Sequence, residues 1–445
     1  MKRLTDIFLL LCLVLAAVSC KDSGEERSHV LKVYNWADYI DEDVLAEFPA
    51  WYKQQTGEDI RLIYQVFDIN EIMLTKIERG HEDFDVVCPS EYIIERMLRK
   101  DLLLPIDRNF GHTPDYIPNV SPYIRHELNK TSQPERQTED YAVPYMWGTA
   151  GILFNKKFIT AEEAGTWDIL WDSKNRGKIL MKDSYRDAYG TAIIYAHARE
   201  LADSTVTVEQ LMNDNSPQAI ALAEQRLKEM KPNIAGWEAD FGKEMMTKNK
   251  AWINFTWSGD AVWAIEEADA VGVELDYTVP CEGSNIWYDG WVIPKYAGNP
   301  KAAAYFINYL CRPDIALRNM DAIGYVSAVA TPEIMEAKRD TAIATRSDLS
   351  YFFGEGVGAD SLQINPVQYP DRKVVERCAM IRDFGDRTEL VLEMWSRVKG
   401  DNLNTGIVLL IFAVFGLLFI WLVYAKIRKY KQKRRHRLRR KRKRG

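Results

Sequence analysis

From Leu31 onward, short apolar runs alternate with segments of helical periodicity, and this alternation restricts the possible folds more than any single motif does. Leu31 to Tyr34 reads as a strand. Asp41 then offers an N-cap to a helix through Val44, Leu45 and Phe48, with Gly57 as its stop. Pro49 interrupts that helix and either kinks it or restarts it in a new first turn. Ile60 to Phe67 is the next strand, Glu71 to Arg79 the next helix, Phe84 to Cys88 a third strand and Tyr92 to Arg99 a third helix. Such spacing predicts a parallel sheet with helical crossovers. Open parallel sheets take ligands beyond the carboxyl ends of their strands. That rule points to Trp36, Asp38 and Tyr39 after the first strand and to Ser90 and Tyr92 after the third.

A polar loop ends near Asp140, and Tyr141 to Asn155 is then one long strand-like run broken by Gly148. A run of that kind suits a segment crossing between two lobes. A second α/β unit follows, with strands over Lys178 to Met181 and Ala251 to Phe255. Ile286 to Pro294 is a further strand, and Val374 to Val398 a last helical region. At 445 residues the chain has room for two or three domains. The segments predict a first lobe from 30–146 and 287–330 and a second from 147–286 and 331–400.

The two ends carry their own signals. Lys2 and Arg3 precede an apolar run from Ile7 to Val18, too short for a comfortable membrane span, which ends in Ala16-Ala17-Val18-Ser19-Cys20. Residues 1–19 therefore read as an export signal of lipoprotein type, with Cys20 as the lipidated first mature residue and 20–29 as a tether. Ile407 to Ala425 is apolar, uncharged and long enough to be expected as a transmembrane helix. The last 20 residues, 426–445, hold 14 Lys and Arg and no acid, so the positive-inside rule puts them in the cytoplasm. The body is then expected on the periplasmic face of the inner membrane. The net charge of −6 conceals this basic tail, so the body before it is strongly acidic. Such a body attracts small cations and repels nucleic acid.

No catalytic constellation can be assembled. The histidines are scattered, and neither a G-x-S-x-G elbow nor a P-loop is present. Cys88, Cys281, Cys311 and Cys378 have no metal-like spacing, which leaves disulfides and buried free thiols both open. An enzyme, a cofactor and a metal site are not expected. What recurs is an aromatic beside an acid at the ends of expected elements: Trp36 with Asp38, Trp257 with Asp260, Trp287 with Asp289, and Asp187 and Tyr325 alone. Any one of these rings is ordinary core material. Together they describe a box of rings with acids among them, which suits a cation.

The residues that carry this pattern also carry a resemblance. They are Tyr34-Asn35-Trp36-x-Asp38-Tyr39, Pro89-Ser90-x-Tyr92, Pro144-Tyr145-x-Trp147-Gly148, Asp183-Ser184-x-Arg186-Asp187, Trp257-x-Gly259, Trp287-x-Asp289 and Ile323-Gly324-Tyr325. In order and spacing the chain resembles the substrate-binding proteins of spermidine/putrescine ABC transporters over nearly all of residues 30 to 400. The resemblance implies a two-lobed, hinged periplasmic-binding-protein fold of type II that closes on a polyamine and delivers it to permease subunits. It also implies that Trp36, Tyr39, Tyr92, Trp257, Trp287 and Tyr325 flank the methylenes. Asp38, Asp187 and Asp289 would hold the charged ends, with Ser90 as a polar neighbour and Asp260 as an added acid. Asp38 and Ser184 are departures that look more like the diamine-preferring members. Arg382-Asp383-Phe384 departs from the family's polar contact, and a pocket-facing Arg382 would oppose a cation. Alternatives are a same-fold receptor for another solute and a membrane-tethered polyamine sensor.

Overall fold

The 14 residues of Ala142–Asn155 form one strand whose two halves serve different sheets. In the computed structural model, which describes residues 27–238, 241–400, 412–419, 421, 424 and 426, the strands in chain order are as follows. They are β1 (Val30–Trp36), β2 (Arg61–Phe67), β3 (Val86–Val87), β4 (Leu103–Leu104), β5 (Ala142–Asn155) and β6 (Ile179–Lys182). After these come β7 (Ile234–Glu238), β8 (Ile253–Trp257), β9 (Leu275–Thr278), β10 (Ile286–Pro294) and β11 (Val326–Ser327). The order is β2-β1-β3-β10-β5-β8-β6-β7, with β4 on β10 and with β9 and β11 on β5.

As the alternation predicts, β1 pairs in parallel with β2 and β3, and β6 with β7 and β8. The strands joining these two parallel sets are antiparallel. Residues 142–149 of β5 pair with β10, and residues 150–154 pair with β8. Every residue of β5 and of β10 is buried, which explains their nearly continuous apolar sequences. Gly148 marks the changeover in β5. A Cβ there would meet the Trp287 ring at 2.8 Å, so only glycine lets the strand pass.

Local sequence explains the first long helix, Glu42–Thr56. Asp41 caps it by accepting from the Asp43 N–H at 2.8 Å, and Gly57 ends it at φ 77°. Pro49 lies inside it without dividing it, although it removes one backbone donor. The expected helix over Val374 to Val398 is instead two, Arg372–Val375 and Thr388–Lys399, with Arg382, Asp383 and Phe384 in the irregular stretch between.

Among the described residues a large core joins Val33, Phe48, Trp147, Trp291 and Phe306, and a smaller one joins Leu153, Leu180, Ala261, Ala264 and Leu275. The segment read with the second lobe, 331–400, contributes Leu349, Phe352, Leu362, Tyr369 and Val375 to the larger core. Cys88, Cys281, Cys311 and Cys378 are all free thiols, with Cys88 and Cys311 buried.

The chain divides after Glu389 into two compact units, and the fold and site described here belong to the first. The fold expectation needs one correction, in the second. Among the described residues no helix is long and apolar enough to cross a membrane. Of the stretch 407–425, the described residues 412–419, 421 and 424 are helical. The transmembrane helix is therefore not borne out. The rest of that stretch, the export signal, Cys20 and almost all of the basic tail lie outside the described residues.

Candidate functional site

Asp289 lies in the fully buried β10, and both of its carboxylate oxygens are taken by hydroxyls. Ser90 Oγ donates to Oδ1 at 2.7 Å and Tyr39 Oη to Oδ2 at 2.9 Å. Both donors stand beyond parallel strands of the first sheet, β3 and β1, where an open sheet places its ligands. Burial pushes the Asp289 pKa up to about 6, with the two hydroxyls opposing that rise. Burial, reinforced by Asp289, keeps the Tyr39 phenol protonated as a donor.

Rings enclose this carboxylate. Tyr39 meets Tyr325 edge-on at 5.4 Å between centroids, and Tyr325 meets Trp287 at 5.6 Å. Gly259, at the start of the helix Ser258–Ala270, packs so closely on Tyr325 that a Cβ would clash with the ring. Trp36 leans on Phe67 at 4.5 Å at the end of β1. Asp38 follows with φ 51°, a left-handed conformation that aspartate tolerates better than most residues, and its side chain is exposed.

A second buried carboxylate comes from the other sheet. Asp187, in the first turn of the helix after β6, accepts from Asn285 Nδ2 at 3.0 Å and Trp257 Nε1 at 3.3 Å. Burial raises its pKa against the pull of those neutral donors. Among the described residues neither Asp187 nor Asp289 forms an ion pair.

Asp260 differs. It pairs with Lys182 at 2.7 Å and Lys243 at 3.2 Å, and Lys182 also reaches Glu238 at 3.3 Å. Burial alone would raise its pKa, yet the two lysines bring it below the ordinary carboxylate value. Its charge is already balanced within the fold. Lys182 Nζ also lies 4.6 Å from the Trp257 ring centroid, so one of the expected rings carries a resident cation.

The two lobes touch beside Tyr92. Asn70 Nδ2 donates to Ser90 Oγ at 3.1 Å and to Tyr92 Oη at 3.0 Å. The Tyr92 hydroxyl donates to Glu71 at 3.4 Å, and Tyr185 from the second lobe donates to the same Glu71 Oε1 at 2.8 Å. A chain of hydrogen bonds thus leads from Asp289 across to Tyr185. Arg382 does not oppose a cation, because Glu95 takes its guanidinium in a two-point pair at 2.9 and 3.0 Å. A cavity of about 900 Å³ lies elsewhere, lined by Glu91, Glu127, Ile286 and Arg382 among others, and none of the predicted site residues borders it.

Residues 50–345 match the bacterial extracellular solute-binding proteins. The chain belongs to that family. This solute-binding protein is 26% identical over 387 residues to the spermidine/putrescine-binding periplasmic protein of Escherichia coli K12, covering 87% of this chain and 96% of the relative. It is 29% identical over 338 residues to the putrescine-binding periplasmic protein PotF of the same organism, covering 73% and 85%. Among solved structures, a putative spermidine/putrescine ABC transporter protein from Listeria monocytogenes superposes with a TM-score of 0.66 at 28% identity, over 84% of this chain and 99% of the other. The two-lobed periplasmic-binding-protein architecture is common to both.

Sequence reasoning about this solute-binding protein missed Asn70, Glu71 and Asn285. Each is a polar residue near the start of a helix or strand with no motif around it. Asn70 carried one usable signal, a small amide just before an apolar helical run, but capping explains that equally well.

Proposed function

We propose that this solute-binding protein is the receptor of a polyamine ABC importer. It captures a polycation between its lobes on the periplasmic side and hands it to the permease. It is a transport component, not an enzyme, in keeping with its relatives. The observation that carries the reading is the pair Asp289 and Asp187: two buried carboxylates, each held only by neutral donors. A buried carboxylate without a cation is costly, and an ammonium group relieves that cost while having its own charge paired. Asp289 and Asp187 take the ammonium ends. Tyr39, Trp257, Trp287 and Tyr325 wall the methylenes, with Trp36 and Tyr92 at the margins and Ser90 orienting Asp289. Asp260 serves by balancing Lys182 and so orders the helix start beside Trp257. Asp38, at the exposed turn, meets the ligand last. Each ring facing a cation contributes ~0.5–2 kcal/mol, and micromolar affinity requires about 8 kcal/mol, so several contacts act together. Cys20 is the lipid attachment point, a reading supported by the small residues that precede it.

Thermal unfolding of the full chain tests the reading. Putrescine or spermidine at 100 times its dissociation constant stabilises by ~2.7 kcal/mol, and an acidic solute of equal size does nothing. Absence of a shift with every polyamine tried rejects the assignment.

A further inference from the structure

The cavity of about 900 Å³ lies against the other face of β10. Side chains alternate along a strand, so Trp287 and Asp289 face the site described above while Ile286 points away and borders the cavity. One wall comes from the helix Pro122–Asn129 and the opposite wall from the short helices Ala198–Ala202 and Val208–Met212. Its volume is that of a small-molecule site.

The basic groups on these walls are engaged. Lys130 pairs with Glu127 at 2.7 Å, Arg382 with Glu95 at 2.9 Å and Arg372 with Asp348 at 2.7 Å. The Arg377 guanidinium donates to the carbonyls of Val279 and Pro280. Glu209, Glu282 and Glu376 also border the cavity, and among the described residues none of them forms an ion pair. Glu91 decides the sign of the ligand. It borders the cavity, is 2% exposed, and its Oε2 has no hydrogen-bond partner. Tyr288, on the Ile286 face of β10, likewise has a buried hydroxyl without a partner. Unpaired buried polar atoms cost free energy that a donor placed between them recovers. Burial, reinforced by Asp289, holds the Glu91 pKa well above the carboxylate range, and a cation beside it would restore the carboxylate. Tyr123 and Tyr351, edge to face at 5.1 Å, supply ring surface to the same cavity. Rings beside acids suit an organic cation, and among the described residues no group of side chains could hold a metal ion.

We infer that this cavity is a second binding site, for an alkylammonium ion whose nitrogen is held by Glu91. It is distinct from the cleft of Asp289 and Asp187 and does not depend on what that cleft binds.

Equilibrium dialysis of the full chain with radiolabelled putrescine, carried to millimolar concentration at one pH and ionic strength, tests this by counting bound ligand. The wild type is expected to bind two equivalents. Glu91→Gln is nearly isosteric with the protonated acid and should bind one, in the cleft. Leu201→Trp fills the cavity without altering a carboxylate and should also bind one. Asp289→Asn should keep the equivalent in the cavity. A wild type that binds one equivalent, lost in Asp289→Asn, overturns the inference and leaves the polyamine reading standing. A second equivalent that survives in folded Glu91→Gln or Leu201→Trp also overturns it, because the acidic surface would then be gathering counterions. If Glu91→Gln does not fold, Leu201→Trp decides. One equivalent that depends on Glu91 and not on Asp289 upholds the inference and rejects the polyamine reading of the cleft, whereas no binding at all rejects both.

Discussion

Ser90 and Asp289 meet twice: their backbones form an isolated antiparallel bridge, and the Ser90 hydroxyl donates to Asp289 Oδ1 at 2.7 Å. Backbone pairing of this kind fixes the carboxylate through the sheet itself, not through a flexible loop. The site is therefore organised before a ligand arrives, and binding loses little free energy to ordering the receptor.

That preorganisation has a stability consequence. The folded pKa of Asp289, about 6, exceeds its ordinary value of 3.8. A raised pKa means that the native state holds the proton more tightly than the unfolded chain does. Its stabilising contribution is complete below pH 3.8 and is lost as pH rises through 6. At pH 7 the unliganded protein thus carries a penalty of about 3 kcal/mol from this one group. Asp289→Asn should raise the unfolding temperature of the unliganded protein at pH 7 while abolishing the polyamine-induced shift. Calorimetry with and without ligand checks both. A variant less stable than wild type, or one still stabilised by polyamine, contradicts the assignment.

The same titration predicts how binding depends on pH. The ammonium groups of a polyamine stay charged through the acid range, so Asp289 controls the response. Below pH 6 the carboxylate must be deprotonated to accept the ligand, and affinity should fall by about tenfold per pH unit. Asp187, with its pKa also raised by burial, steepens the fall. Equilibrium dialysis between pH 5 and 8 measures it, and a flat profile would count against either acid holding an ammonium.

Asp260 should separate stability from binding. Lys182 is 1% exposed and stands between Asp260 and Glu238. Removing one partner of a buried ion pair typically costs 3–5 kcal/mol, because the remaining charge is left in a poorly solvated place. Asp260→Asn is expected to lose roughly that much stability. The variant should still bind polyamine, within a few-fold of wild type, below its own unfolding temperature. Loss of binding in a variant as stable as wild type would instead make Asp260 a ligand contact.

How much of this was legible beforehand differs by residue. The parallel sets β1-β2-β3 and β6-β7-β8 follow from apolar spacing, which is a local property. The crossing strand β5 was visible as a long apolar run, whereas its division between two sheets depends on Gly148 and on the distant Trp287. The ring-and-acid pairing singled out Asp289 and Trp287 as candidates, but not the hydroxyls of Ser90 and Tyr39 that the fold brings to Asp289 within β10. Sequence could not tell Asp260 from Asp289. Both are acids three or fewer residues from a tryptophan, and only the fold brings lysines to one and hydroxyls to the other. Segment 349–375 returned to the first core for a similar reason, since its aromatics find partners only in three dimensions.

The contact between Tyr185 and Glu71 yields the last prediction. Tyr185 follows β6 and Glu71 opens the helix Asn70–Glu78 beside the first sheet, so their 2.8 Å hydrogen bond joins the two lobes. Glu71 also accepts from Tyr92, which connects through Asn70 and Ser90 to Asp289. Closure of hinged lobes around a ligand is the known behaviour of periplasmic binding proteins. A bond made only on closure adds to ligand affinity without adding to the stability of the open form. A hydrogen bond to a charged group contributes ~1.5–3 kcal/mol. Tyr185→Phe removes the hydroxyl and keeps the ring, so affinity should fall by about tenfold or more, mostly through faster dissociation. The unliganded unfolding temperature should hardly move. Stopped-flow dissociation read from tryptophan fluorescence provides the rate, and a rate equal to that of wild type would remove this bond from the closing mechanism.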